Sequence, residues 1–143
     1  MKVAKGILLI LILVGCGAKP KPINYGSDAC VFCKMTIVDR QHAAEIVTVK
    51  GKAFKYDAIE CMMNDLAKWE GPEVAFYLTN DYTNPGDLID ATSAHYLISE
   101  DIPSPMGEFL TAFSDPGERA VYEKEITSSL NWSELKKEFG VNR

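Results

Sequence analysis

The sequence predicts an α+β domain made of two ββαβ-like halves, with small helices packed on mixed or antiparallel sheets. The chain has 143 residues, which allows one ordinary domain. Short β-branched segments with partial alternation are interspersed with segments of helical spacing. A similar order of segments also occurs twice, because Phe54-Lys55-Tyr56-Asp57 and Ala112-Phe113-Ser114-Asp115 each precede a predicted helix.

In the first half, strands are predicted at Met35–Val38, Ala43–Val49, Ala53–Tyr56 and Val74–Leu78. A helix is predicted between the last two, since apolar side chains recur there at helical spacing: Ile59, Met62, Met63, Leu66 and Ala67. Asp57 is its predicted N-cap, and Glu60 completes a capping box. Gly71-Pro72 is its predicted end.

The second half repeats this plan more loosely. Strands are predicted at Ala94–Ile98 and Phe109–Phe113. Ser114-Asp115-Pro116 opens a short helix, since proline suits a first helical turn. That helix is predicted to contain Ala120, Val121 and Lys124. A terminal helix is predicted from Trp132 to Phe139, with Asn131 or Ser133 as its cap.

The N-terminal segment predicts export and lipidation. Two lysines precede eight apolar residues, a run too short to cross about 30 Å of hydrocarbon. Leu13-Val14-Gly15-Cys16 resembles the bacterial lipobox, in which the cysteine carries the lipid. We therefore expect a lipoprotein signal peptide over residues 1–15, a plain signal peptide or an N-terminal anchor being the alternatives. The protein would be exported and lipid-anchored to a bacterial cell membrane, facing the periplasm or the cell surface.

Removing residues 1–15 leaves 13 basic and 20 acidic residues, a net charge of −7 against −5 for the whole chain. Residues 16–26 are the predicted lipidated cysteine and Pro-rich tether, and residues 27–143 the domain. The acidic balance argues against a nucleic-acid partner, which would require a basic face. The presence of only two histidines argues against a multi-histidine zinc hydrolase.

Three thiols remain after Cys16, namely Cys30, Cys33 and Cys61. Cys30-x-x-Cys33 is open to two ordinary interpretations, a structural disulfide and a thioredoxin-type redox pair. The redox motif normally starts a helix, whereas β-branched Thr36-Ile37-Val38 follows here. Metal binding therefore fits the local chemistry better.

Sulfur side chains make up the predicted metal site. Cys33 and Met35 supply a thiolate and a thioether, soft ligands that together select Cu(I). If Met35 begins a strand, both side chains point to one face. Met106 lies in a loop bounded by proline and glycine, an unusual place for a core methionine.

Other sulfur and imidazole groups are assigned lesser or ordinary roles. Cys30, Cys61 and His42 are weaker candidate ligands. Met62 and Met63 have core spacing on their helix. His42 and His95 lie in strand-like segments, where a histidine is more often hydrogen-bonded or at the surface than a metal ligand.

Several motifs occur together in one order: the lipobox Cys16, Cys30-x-x-Cys33-x-Met35, Phe54-x-x-Asp57-x-x-Glu60-Cys61-Met62 and Pro105-Met106-Gly107. With them the sequence resembles the NosL family, the copper-binding accessory lipoproteins of nitrous oxide reductase assembly, from about Asp28 to about Glu138. The resemblance implies that Cys33, Met35 and Met106 bind Cu(I). One departure is Lys34, where many members have a glycine.

The resemblance implies a protein that is not an enzyme but a Cu(I) chaperone. It would hand copper to the copper-accepting reductase or its assembly machinery, from a membrane to which its lipid holds it. No oligomeric state is predicted. Two rival functions stay open: an exported thiol-disulfide oxidoreductase using Cys30 and Cys33, and a structural lipoprotein with a Cys30–Cys33 disulfide.

Overall fold

The structure is a computed structural model that describes residues 17–125 and 127–142. The predicted signal peptide and Cys16 lie outside the described residues. The elements, in chain order, are β1 (Ala44–Thr48), β2 (Ala53–Tyr56), α1 (Ile59–Leu66), β3 (Val74–Asn80), β4 (Leu88–Asp90), β5 (His95–Ile98), β6 (Leu110–Phe113), α2 (Pro116–Tyr122), β7 (Ser128–Leu130) and α3 (Trp132–Glu138).

The named strands form two sheets, one in each half. The first has the order β2-β1-β3-β4, and the second β6-β5-β7. Every pairing in the two sheets is antiparallel. Each half therefore contains a ββαβ unit, β1-β2-α1-β3 and β5-β6-α2-β7. The predicted α+β class with two similar halves is confirmed.

One apolar core joins the two halves. It includes Ile46 and Met62 from the first half, Tyr96 and Leu110 from the second, and Leu135 from α3. Burying apolar surface from both sheets and from α1 together is the main stabilising contribution to such a small domain. The predicted core position of the paired methionines is confirmed, because Met62 and Met63 are both fully buried.

Helix α1 is shorter than its sequence pattern predicts. It ends at Leu66 rather than near Gly71-Pro72. The chain folds back so that the Trp69 ring lies edge-on to Phe54, with 5.0 Å between the ring centroids. The Trp69 indole N–H donates to the carbonyl of Pro72 at 3.1 Å. Burial of this large aromatic ring thus replaces the last predicted helical turn.

The predicted strand at Met35–Val38 is wrong. Only an isolated bridge joins Thr36 to Ala29 in this segment. Lys34 has a φ of +69°, a left-handed conformation that reverses the chain immediately before Met35. The segment is therefore the return arm of a tight turn.

The helices of the second half agree better with their predictions. Asp115 caps α2 by accepting from the amides of Gly117 and Glu118. The helix ends at Tyr122, so Lys124 lies beyond it. Before α3, Asn131 and Glu134 form a capping box, which confirms Asn131 as the cap.

Two strands, β4 and β7, were not predicted. Each has three residues, Leu88–Asp90 and Ser128–Leu130. Segments this short have no period that the sequence can reveal.

Residues of the predicted tether contact the domain. The amide of Lys21 donates to Glu45 Oε1 at 3.0 Å, and Ile23 lies in the main core. Among the helices that the structure describes, α1 is the longest at eight residues, and none has the length and apolar character needed to cross a membrane.

Candidate metal site

Residues 30–35 form a compact turn, here called the cysteine turn. The amide of Cys30 donates to the carbonyl of Met35 at 2.8 Å, and the amide of Lys34 donates to the carbonyl of Cys30 at 3.0 Å. The amide of Cys33 donates to Cys30 Sγ at 3.5 Å. This arrangement leaves Cys30 buried, Cys33 half-buried and Met35 57% exposed.

The cysteine turn is attached to strand β2. The amide of Val31 donates to the carbonyl of Lys55 at 2.9 Å. The Lys55 ammonium in turn bonds Asp28 Oδ2 at 2.6 Å, just before the turn. Since Lys55 lies two residues before Asp57, these bonds place the turn beside the junction of β2 and α1.

Asp57 at this junction does not cap the helix. The N-cap of α1 is Ala58, which makes no side-chain capping bond, so the predicted cap and capping box are wrong. The Asp57 carboxylate is buried and instead accepts a hydrogen bond from the Cys33 thiol at 3.3 Å. The Asp57 carboxylate could have accepted hydrogen bonds from the first backbone amides of α1, but it faces the cysteine turn instead.

Four side chains converge here: Cys30, Cys33, Asp57 and Cys61. Their ligand atoms, three Sγ atoms and one carboxylate oxygen, all lie within 4.8 Å of one another. The three cysteines are free thiols. The structure therefore brings both weaker cysteine candidates next to Cys33.

The thiols differ in acidity because they share hydrogen bonds in a small buried space. A hydrogen bond with Cys61 lowers the pKa of Cys30 to about 6, against an ordinary value of 9.0. The same bond raises the pKa of Cys61. Burial, together with hydrogen bonds to Cys30 and Asp57, raises the pKa of Cys33. One thiolate among protonated neighbours gives a soft cation a first ligand at neutral pH.

Met106 lies on a second segment, residues 104–110, here called the methionine loop. The amide of Gly107 donates to the carbonyl of Ser104 at 3.0 Å, and Gly107 has a φ of +76°. Glycine adopts this conformation without a steric penalty. The turn leaves Met106 39% exposed, as the Pro/Gly-bounded sequence predicts for a presented side chain.

Glu60 ties the methionine loop to α1. Its Oε1 accepts from the hydroxyl of Ser104 and from the amide of Leu110, the latter at 3.4 Å. The amide of Phe109 donates to Ser104 Oγ at 3.0 Å. Because Glu60 immediately precedes Cys61, the loop that carries Met106 is attached to the helix that carries one of the three thiols.

His42 lies outside this cluster. Its Nδ1 contacts Asp39 Oδ1 at 3.1 Å, and its Nε2 contacts Thr111 Oγ1 at 3.3 Å. Both ring nitrogens therefore have protein partners, in agreement with the hydrogen-bonded interpretation. His95 lies in β5, paired with Phe113.

The sequence analysis missed one residue of the cluster, Asp57. An Asp-x-x-Glu before an apolar helix ordinarily indicates a cap, and this local pattern hid the second role. A signal was present in the spacing, since Asp57 and Cys61 are four residues apart at a helix start and so can share a face.

Comparison with known proteins agrees with the earlier resemblance. The NosL family model matches residues 22–137. The chain belongs to the NosL family. The crystal structure of the copper chaperone NosL from Shewanella denitrificans matches with a TM-score of 0.68 at 18% identity, over 81% of this chain and 94% of that one. This likeness shows that the fold is shared. A comparison with the curated proteins finds no match.

The NosL-family chain thus carries a compact donor set at the meeting of its cysteine turn and α1. Three sulfurs and one carboxylate oxygen suit a soft or borderline cation, and the sulfurs in particular suit Cu(I). The half-buried Cys33 connects the buried thiols to the more exposed part of the cysteine turn. The arrangement has the chemistry of a metal-binding site that can be reached from one side.

Proposed function

We propose that this chain is a membrane-anchored Cu(I) chaperone that delivers copper to nitrous oxide reductase assembly. The observation that carries the proposal is the convergence of Cys30, Cys33 and Cys61 in a member of the NosL family. Copper is the cargo, and the chain performs ligand exchange rather than catalysis. The structurally similar NosL of Shewanella denitrificans is a copper chaperone, which supports the same proposal.

The delivery ligands in this proposal are Cys33, Met35 and Met106. Cys33 belongs to the thiol cluster but is only half-buried, and the two methionines are exposed enough to meet a second protein. A thiolate with thioether ligands at a rim leaves a coordination position for the incoming ligand of an acceptor. Phe32 and Val38 are also exposed, which provides apolar surface for docking beside the site.

The anchor in this proposal is Cys16. A lipid on that residue would hold the domain at the outer face of a bacterial cell membrane through a short Pro-rich tether. Confinement to the membrane raises the effective concentration of the chaperone for a membrane-bound acceptor. Mass spectrometry of protein extracted from membranes should find an N-terminus at a lipid-modified Cys16, and an uncleaved chain with unmodified Cys16 would contradict the anchor.

The rival redox function has one observation in its favour, the lowered pKa of Cys30. A redox-active thiolate must also reach its substrate disulfide. Cys30 is 1% exposed, and Cys61 is fully buried. Burial of the most acidic thiol supports metal retention over exchange with a protein disulfide.

The test is an anaerobic Cu(I) titration of the reduced full chain in detergent. All samples carry Cys16→Ser, hereafter the parent, so that the fourth thiol does not bind copper. Cys33→Ser should lower the affinity for Cu(I) most, and Met35→Leu and Met106→Leu should each lower it by a smaller factor. Met62→Leu is the matched control, because it replaces a buried core methionine and should leave the affinity unchanged.

Two results would overturn the proposal. If the parent binds no Cu(I) in competition with a colorimetric chelator, copper is not the cargo. Alternatively, unchanged affinity in all three site variants would show that copper binds elsewhere.

A further inference from the structure

We propose that the chain holds copper in two alternating positions that share Cys33. The inner position consists of Cys30, Cys33 and Cys61, and the outer position consists of Cys33, Met35 and Met106. This inference rests on the proposed chaperone function and adds to it a division of labour: the inner thiols retain Cu(I), and the outer thioethers deliver it.

The inner position follows from the distances among the thiols. Sulfur ligands about 2.3 Å from a metal lie about 4.0 Å apart when three surround it in a plane. The three Sγ atoms already lie within 4.8 Å of one another. Side-chain shifts of less than about 1 Å would therefore close them around one ion. Asp57 offers only a hard oxygen, which Cu(I) does not favour, so its carboxylate stays a hydrogen-bond acceptor in this scheme.

The division of labour follows from accessibility. Cys30 and Cys61 are buried, so an acceptor protein can approach a metal at the inner position only from the side of Cys33. Met35 is 57% exposed and Met106 is 39% exposed. Cys33 is the one thiol of the cluster that is partly exposed. Copper bound at the inner position is therefore more protected than copper bound at the outer position, where the two methionines are exposed.

The movement is a ligand exchange that leaves the oxidation state unchanged. The Cu–S bonds to Cys30 and Cys61 break while Cu–S bonds to Met35 and Met106 form, and the bond to Cys33 persists throughout. Copper stays Cu(I), and no electron is transferred. Thiols lose protons when they bind a metal, so a departing thiolate that is protonated in the metal-free protein takes up one proton from solvent as it releases copper.

Thiolates carry charge and thioethers do not, so the inner position is the tighter one. The methionine loop is attached to α1 by its hydrogen bonds to Glu60, the residue before Cys61. The loop that carries Met106 is thus bonded to the helix that carries Cys61.

The experiment measures the rate of Cu(I) release to an excess of chelator, together with the equilibrium affinity, in the parent and its variants. Cys30→Ser and Cys61→Ser should each lower the affinity at least tenfold and accelerate release. Met35→Leu and Met106→Leu should lower the affinity less and slow release, because copper then has no outer position to occupy. Met62→Leu is the packing control for α1 and should leave both the affinity and the release rate unchanged.

Inner variants should accelerate Cu(I) release and outer variants should slow it. This difference tests the two-position scheme independently of the proposed chaperone function. If inner and outer variants change the release rate in the same direction, or if Cys30→Ser and Cys61→Ser bind Cu(I) as tightly as the parent, the two-position scheme fails while the chaperone stands. If the parent binds no Cu(I), both fail. Should a cysteine variant not fold, Cd²⁺ added to the parent gives a second readout. The thiolate-to-Cd²⁺ absorption should correspond to three thiolates, and a value for one would overturn the inner position.

Discussion

The two halves of the molecule begin their central helices with the same residues and use them differently. Each helix begins within an Asp-x-x-Glu segment that follows a strand. In the second half, Asp115 caps α2 and Glu118 is exposed. In the first half, Asp57 faces Cys33 and Glu60 is buried against the methionine loop.

The two helices are also stabilised by different means. Helix α1 has no side-chain cap but buries most of its residues: Ile59, Glu60, Cys61, Met62, Met63 and Leu66. Helix α2 is capped and buries none of its residues. A helix that is stabilised by packing in the core does not need a side-chain cap, so the residue before it can make other contacts. In the first half Asp57 is thereby free to face the thiol cluster.

Buried carboxylates separate the halves in a second way. The first part of the chain buries Glu45, Asp57, Glu60 and Asp81. Among the residues that the structure describes after position 82, no acidic side chain is buried. A dependence of stability on pH should therefore originate in the first half.

The largest effect expected from this comparison is in core packing. Met62→Ala in α1 should lower the free energy of unfolding by about 3 kcal/mol, because it removes a fully buried side chain and leaves a cavity. Val121→Ala in α2 should change it by less than about 0.5 kcal/mol, since Val121 is largely exposed. Denaturant unfolding of the parent chain measures both. Equal losses in the two helices would contradict the assignment of α1 as the helix held by burial.

A pH dependence should follow from Glu45. Burial raises its pKa from 4.5 to about 7, although the amide of Lys21 donates to its carboxylate. Between those values the folded state retains a proton that the unfolded state has released. The stabilisation is thus complete below about pH 4.5 and is lost as the pH rises through about 7.

Glu45→Gln should remove this loss, raising the free energy of unfolding at pH 8 by about 2 kcal/mol and changing it little at pH 4.5. Unfolding curves across this range measure the slope. Glu118→Gln in the second half is the matched control, because Glu118 is exposed. A slope that persists in the Glu45 variant would place the titrating group elsewhere.

Sequence analysis could predict the longer strands and the helices of both halves because alternation and helical spacing are local patterns, whereas it missed β4 and β7. It could not separate Asp57 from Asp115, since both have the same local pattern. What distinguishes them is Cys33, which lies 24 residues from Asp57 in the chain and contacts it only after folding. The strand predicted from Met35 failed for a related reason, because the β-branched residues there follow a left-handed residue, Lys34.

The sulfur site was partly within reach of the sequence. Cys33 and the exposure of Met106 followed from motif chemistry and from the flanking proline and glycine. The closeness of Cys61 to Cys30 could not be predicted from the sequence. A cysteine on a helix face has the same spacing whether it packs in the core or faces a thiol. Tertiary contact between the cysteine turn and α1 decides that question.

A smaller effect should distinguish the two aspartates directly. Asp115→Ala should lower the free energy of unfolding by about 1 kcal/mol, and Asp115→Asn should have little effect because asparagine also caps helices. Asp57→Asn should instead alter Cys33, whose pKa is raised by burial and further by Asp57. We expect its alkylation to accelerate, because a lower pKa increases the fraction of Cys33 present as thiolate. Peptide mass spectrometry after timed alkylation measures this, and a change caused by Asp115→Asn would count against the distinction.

The smallest effect concerns the two turns that present the methionines. The methionine loop uses Gly107 at a φ of +76°, whereas the cysteine turn uses Lys34 at +69°. A non-glycine residue in this conformation costs roughly 1–2 kcal/mol in the folded state, and replacing it with glycine relieves that cost. Part of the stabilisation is lost again, because glycine gives the unfolded chain more conformational freedom. Lys34→Gly should therefore raise the free energy of unfolding by about 0.5 kcal/mol.

Gly107→Ala is the matched reversal, because a Cβ at Gly107 would meet no atom within 4 Å and the cost would be conformational alone. It should lower the free energy of unfolding by about 1 kcal/mol. The Lys34 ammonium also donates to the carbonyl of Val31, an exposed bond whose loss in Lys34→Gly subtracts little. A net destabilisation by Lys34→Gly would mean that this bond, rather than the backbone conformation, determines the stability of the cysteine turn.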